Sequence, residues 1–216
     1  MLNRLILNEF KNTNSKLLLV TKYLNSSQTK EIFAEIFKSQ ELLSPQKQEN
    51  RDTIKIIALG ENRIDDILQK KIPRNFCHFI GNIQSRRIPE ISENCAVIHS
   101  LCNLKHAELF AKQKQKNDFF IQINISGEPQ KSGISPLNFA EFYKSLPENL
   151  NIIGISGMGK GTNFTKQEKI KEFKTLLNLR EKFNPQWQIS AGTSADYKIA
   201  LSMGIDIIRL GRAMFK

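Results

Sequence analysis

The chain has 216 residues, 40% of them hydrophobic, and carries 32 Lys and Arg against 21 Asp and Glu, a formal charge of +11. This length and apolar content support one sizeable core in a single domain spanning 1–216, and no apolar run reaches the length of a membrane span. The basic residues are dispersed through 11–22, 38–55, 112–116 and 166–182, and the three cysteines lack a secretory signal, which describes a cytoplasmic protein with a solvated basic surface and reduced thiols.

In chain order, segment 2–11 mixes apolar and polar residues at helical spacing and has no small-residue cleavage site, so it reads as a helix. The run LLLV at 17–20 reads as a buried strand and ends in Thr21-Lys22. A lysine there is delivered to the mouth of a barrel and is expected to be partly desolvated, its amine free to attack an aldehyde; the plain alternative is a solvated lysine closing a strand. Further strands are expected at 54–59, 77–80, 96–99, 119–125, 152–156, 187–190 and 206–210. Stretches 28–43, 61–71, 103–116, 136–146, 165–182 and 195–203 supply crossover helices, and 44–53 is the most loop-like segment. Such alternation means a parallel sheet covered on both faces, and eight repeats fit a closed (β/α)8 TIM barrel better than an open doubly wound sheet. Only 211–216 follow the last strand, so the helix at 2–11 is expected to cover that gap.

In barrels of this kind the functional loops follow the strand C-termini, and phosphate commonly sits in the loops after the seventh and eighth strands. Ala191-Gly192-Thr193-Ser194-Ala195-Asp196 follows one of these strands and Arg209-Leu210-Gly211-Arg212 closes the other. Together they offer amide N–H groups, hydroxyls and guanidinium groups to an anion. The first segment also reads as an ordinary helix cap. Asp196 would repel phosphate and is assigned to the first turn of the following helix. Asn62, after the second strand, could donate to a ring hydroxyl, and Gly81 and Gln84 could approach a ligand, whereas His78, within the third strand, reads as a hydrogen-bonded core histidine.

Three rival motifs are weaker. GISGMGKG at 154–161 falls one residue short of a Walker loop, since Gly161 stands where magnesium needs a hydroxyl. Cys95, His99, Cys102 and His106 lack a familiar zinc spacing. A basic nucleic-acid-binding module would need binding that survives loss of Lys22.

Lys22 after an apolar strand, GEN at 60–62, HFIGNIQS at 78–85, IHS at 98–100, QINIS at 122–126 with Lys131-Ser132-Gly133, SAGTSAD at 190–196 and RLGRAMF at 209–215 occur in the order seen in a known family. Across nearly its whole length the chain resembles the YggS-like pyridoxal-phosphate homeostasis proteins. The resemblance implies a barrel like the N-terminal domain of alanine racemase, of the fold-type III PLP class. It further implies pyridoxal 5'-phosphate (PLP) held as a Schiff base on Lys22, in vitamin B6 homeostasis without robust enzymatic activity. Asn62 matches an asparagine near the cofactor ring, Ser190 and Ser194 match serines of the phosphate loop, and Arg209 and Gly211 match the terminal strand motif. Gly192, Thr193 and Arg212 complete the expected cofactor-binding set. The departures are Arg86-Arg87 in place of asparagine-lysine, Ala191 and Thr193 in place of methionines, and Arg212 in place of a small residue. A PLP-dependent racemase-like enzyme is the alternative, but racemases of this fold take a second acid–base group from a further domain and a partner subunit, neither of which is expected here. A monomer is expected, with PLP-requiring apo-enzymes as recipients and no specific nucleic acid or membrane partner.

Overall fold

The computed structural model describes residues 2–41, 56–161 and 163–215; the expected loop 44–53 and the first two residues of the expected strand 54–59 lie outside these. Eight parallel strands close into a barrel in sequence order. They are β1 (Lys16–Val20), β2 (Ile56–Glu61), β3 (Cys77–Phe79), β4 (Val97–Leu101), β5 (Asp118–Asn124), β6 (Asn151–Met158), β7 (Gln188–Ser190) and β8 (Ile207–Leu210). The helices are α1 (Arg4–Phe10), α2 (Ser26–Glu41), α3 (Ile64–Lys70), α4 (Ile88–Asn94), α5 (Leu104–Ala111), α6 (Phe139–Lys144), α7 (Lys166–Phe183) and α8 (Tyr197–Ser202). Each expected strand is present, shifted by no more than a few residues at its ends. The short α4, opened by Ile88-Pro89, was not among the expected helices: its seven residues give too few turns for a clear period.

Strands of a covered parallel barrel are buried on both faces, so they read as apolar runs rather than alternations. In β1, Leu17 and Leu19 face outward into the layer shared with the helices. Leu18 faces the lumen with Ala58, Val97, Phe120 and Ile207. Closure rests on β1, which pairs with β2 on one side and with β8 on the other, with Leu18 opposite Arg209 and Leu19 opposite Leu210. The β7–β8 pairing is brief, Ser190 opposite Ile207. It is extended by Ala191 N–H donating to the Ile207 carbonyl (3.0 Å) and Arg209 N–H donating to that of Gly192 (3.1 Å), which lays the loop after β7 alongside β8.

The N-terminal helix covers the expected gap. Asn3 caps α1 with its side-chain oxygen. Its backbone N–H donates to the Met214 carbonyl at 2.9 Å and its side-chain amide to that of Ala213 at 3.1 Å, tying α1 to the segment after β8. Ile6 and Phe10 enter the core, and Tyr197 of α8 donates its hydroxyl to Glu9 at 3.0 Å. Phe10→Ala should therefore cost about 3–5 kcal/mol in urea unfolding, the range for truncating a buried phenylalanine. A cost below about 1 kcal/mol would show that α1 is not part of the barrel's closure.

Candidate functional site

The strand C-termini converge on a cavity of about 530 Å³. Lys22, Asn62, Thr193, Ser194, Arg209, Gly211 and Arg212 line it, so seven of the nine residues expected from the sequence share one space. The other two stand behind the wall. Ser190 is fully buried, with its hydroxyl turned toward Arg209 and His99. Gly192 has φ +90°, and a Cβ there would come within 2.9 Å of the Ala200 Cβ, so glycine serves the loop's path against α8.

Lys22 lies two residues beyond the end of β1, in the open mouth, and is exposed. The expected partial desolvation is not found, because burial stops at Thr21, with Val20 and Thr21 enclosed and the chain turning outward after them. Nζ of Lys22 stands 5.0 Å from the centre of the Tyr23 ring, and the Arg212 guanidinium 4.9 Å from the same ring. The backbone that leads into Lys22 is nonetheless held from below. Thr21 donates its hydroxyl to Glu61 at 2.7 Å, and Lys70 donates to both the Thr21 carbonyl (2.8 Å) and Glu61 (2.5 Å). All three residues are buried, and desolvation pushes the Glu61 pKa up against the hydrogen bonds from Lys70 and Thr21 that lower it. Glu61 therefore braces the strand end instead of starting a helix. Beside it, a Cβ at Gly81 would overlap the Asn62 carbonyl, which makes glycine necessary there.

A buried polar chain crosses the barrel floor. Arg209 donates to the carbonyls of Ser190 (2.6 Å) and Gly157 (2.9 Å) and to the Ser190 hydroxyl oxygen (2.9 Å). The Ser190 oxygen lies 3.0 Å from His99 Nδ1, and His99 Nε2 lies 2.9 Å from His78 Nδ1. Arginine can only donate, so the assignment that leaves no buried hydroxyl proton unpaired runs one way: Arg209 to Ser190, Ser190 to His99, His99 to His78. Burial holds both imidazoles neutral, with the His78 pKa lowered to about 3 and that of His99 lowered well below its usual value, secondarily by the nearby His78 and Arg209. Desolvation also lowers the Arg209 pKa to about 10, opposed by the Asp196 charge, which leaves a fixed cation at neutral pH. His99 stacks on Phe120 with ring centres 4.4 Å apart.

In the loop after β7, Asp196 does not serve the first turn of α8 as expected. Its carboxylate accepts from the Thr193 N–H (2.6 Å) and hydroxyl (3.1 Å), folding the loop back on itself before the helix begins. The Walker-like stretch also resolves differently: β6 runs through Met158, so two of its four glycines, Gly154 and Gly157, lie in a strand, where a Cβ at Gly154 would overlap the Gln188 carbonyl. Thr162 lies outside the described residues. Among the described residues no group of three or more His, Cys, Asp or Glu could hold a metal. Cys95 lies instead 3.7 Å from the Cys77 thiol, whose pKa this contact and burial raise.

The sequence reading did not place Tyr23, His99, Gln122 or Ser156 at the site, yet all line it. Gln122 and Ser156 interrupt otherwise apolar strands on the lumen side, a polar residue in a buried run being the signal that could have found them.

Barrel closure with a cavity at the strand C-termini defines a (β/α)8 barrel protein, and the same fold is found in solved structures. Alanine racemase of Clostridium difficile 630 superposes with a TM-score of 0.68 at 14% identity over 97% of this chain and 55% of its own. PipY of Synechococcus elongatus PCC7942, solved with PLP bound, gives 0.69 at 19% identity over 94% of this chain and 93% of its own. No family model matches the chain. The pyridoxal phosphate homeostasis protein of Pseudomonas aeruginosa is 32% identical over 172 residues, 72% of each chain. That of Buchnera aphidicola subsp. Schizaphis graminum is 30% identical over 199 residues, 83% of this chain and 87% of its own. The chain belongs to the pyridoxal phosphate homeostasis protein family. Among the described residues, no helix is long and apolar enough to cross a membrane.

The neutral histidines predict an acid-sensitive stability. Their folded-state pKa values lie below the unfolded value of about 6.5, so the unfolded chain binds more protons as pH falls and stability is lost below that value. Between pH 7.5 and 5.5 each histidine should account for about 1.4 kcal/mol of lost unfolding free energy. Urea titrations of the wild type and of His78→Gln/His99→Gln should differ in this pH dependence by about 3 kcal/mol. Parallel pH profiles would contradict the assignment of neutral imidazoles.

Proposed function

We propose that this chain binds PLP in the rim cavity and holds it through Lys22, serving to store or pass on the cofactor rather than to turn over a substrate. One observation carries the reading: Lys22 lines the same cavity as Thr193, Ser194 and Gly211-Arg212. Membership of the homeostasis family, and a PipY structure containing PLP, support it. The donor set fits the group. Lys22 supplies an amine that condenses with an aldehyde, releasing water, while Arg212 and the loops after β7 and β8 offer donors and positive charge to a phosphate. Asn62, which follows β2 on the other side of Lys22 from those loops, faces the same cavity and suits a ring substituent; Arg209 lines the wall as a fixed cation, with Ser190 and Gly192 behind it. Bound PLP would supply an electron sink to any amine condensed with it.

The arrangement of ionisable groups supports a carrier over a racemase. Inverting a stereocentre takes acid–base groups on both faces of the substrate. Of the described lining residues, His99 and Arg209 are engaged in the buried polar chain, and Tyr23 and Arg212 cluster on the Lys22 side. We read 1–216 as one PLP-binding domain acting as a monomer in the cytoplasm, with PLP-requiring apo-enzymes as recipients.

Adding PLP to the purified protein should give a visible absorption band that Lys22→Ala abolishes. Arg212→Ala should weaken PLP about tenfold, equivalent to about 1.4 kcal/mol, and leave pyridoxal nearly unchanged. A band that survives Lys22→Ala would sink the role of that amine, and equal weakening of the two aldehydes would sink the phosphate role of Arg212. Amino-acid racemisation that depends on Lys22 at enzyme-like rates would overturn the carrier reading.

A further inference from the structure

A carboxylate bonded to the very loop that faces a phosphate is electrostatically misplaced unless something cancels it. Asp196 holds that position, its Oδ1 accepting from both the N–H and the hydroxyl of Thr193. Its Oδ2 lies 3.1 Å from Nζ of Lys169, a residue of α7 that is only 1% exposed. The same ammonium donates to Glu172 Oε2 at 2.6 Å and to the Lys160 carbonyl at 2.7 Å, so its three protons each have an acceptor. The far oxygen of Glu172 accepts from the Lys160 N–H at 3.0 Å, and a Cβ at Gly159 would overlap this carboxylate. One buried cation thus joins the loop after β6 to the loop after β7, which also accounts for the glycine in the Walker-like stretch.

We propose that Lys169 is a positioning residue for phosphate selectivity: the cation it shares with Glu172 offsets the charge of Asp196 and holds that carboxylate so that Thr193, Ser194 and Ala195 face the cavity. The inference rests on the cofactor-binding reading above. Removing the ammonium takes from Asp196 and Glu172, both buried, the cation they share, and a buried charge that loses its partner is strongly unfavourable. Asp196 is then no longer held against Thr193, and its field opposes the phosphate. A ligand without phosphate meets neither effect.

The test compares Lys169→Met, Asp196→Asn and the double variant Lys169→Met/Asp196→Asn, in which an amide oxygen keeps the Thr193 hydrogen bonds while the charge is gone. PLP and pyridoxal are titrated by visible absorbance, and inorganic phosphate by 31P line broadening. Lys169→Met should raise the Kd for PLP about tenfold or more and that for pyridoxal less than about twofold, with loss of phosphate broadening; the double variant should recover most of the PLP affinity. Equal weakening of both aldehydes, or no recovery in the double variant, would overturn the proposal. If Lys169→Met does not fold, Asp196→Asn decides alone: PLP affinity equal to or above wild type supports the proposal, and selective loss of PLP over pyridoxal overturns it. A wild type that takes up neither aldehyde would contradict the cofactor reading, and phosphate broadening present in wild type and absent in Lys169→Met would still support the role of Lys169, while its persistence would overturn it.

Discussion

The pairing of the first strand with the last organises this molecule. Residues separated by nearly the full length of the chain become neighbours because Leu18 lies opposite Arg209 and Leu19 opposite Leu210. All strands run the same way, so every strand C-terminus opens on one rim, and the chain two residues past β1 meets the chain just past β8. At Gly211 the fit is close: a Cβ there would stand 3.1 Å from the Tyr23 ring and 3.5 Å from the Val20 carbonyl. Without this register the amine of Lys22 and the guanidinium of Arg212 would have no shared space.

Beneath that rim the barrel is stiffened by polar contacts placed where water is excluded. The Lys70–Glu61 pair grips Thr21, the Arg209–Ser190–His99–His78 chain crosses the floor, and Lys169 links the loops after β6 and β7. Buried ionic groups of this kind are a poor source of net stability, since desolvation offsets their attraction. Their effect is geometric: each joins a strand end or a rim loop to a neighbouring strand or helix, so each holds part of the rim in one place. The exposed side chains that would meet a ligand are thereby set on a rigid base, while Lys22 itself keeps the freedom of a solvated side chain.

Much of this was legible in the sequence. Covered parallel strands must be apolar on both faces, so LLLV and FFIQINI announced themselves, and the punctuation by Gly, Asn and Ser after each strand marked the rim. The convergence of Lys22 with the residues after the last two strands followed from closure alone. Burial of individual polar side chains did not follow. Glu61 fell at the start of an expected helix, Asp196 looked like a dipole partner and Lys169 like one more cation on a solvated helix, because local pattern carries no information about a partner supplied by another element. For Lys22 the solvated alternative holds over the expected desolvation, since exposure depends on where the chain turns after Val20. His99 was weighed as a metal ligand, whereas strand order makes it the partner of His78.

The most direct test of the account is where the cofactor attaches. PLP is added to the wild-type protein, the complex is reduced with borohydride, and the digested peptides are mapped by mass spectrometry. One pyridoxyl label is expected, on Lys22, lost when inorganic phosphate and a competing amine are added together before reduction. Label spread over several surface lysines, or confined to a lysine away from the rim, would contradict it.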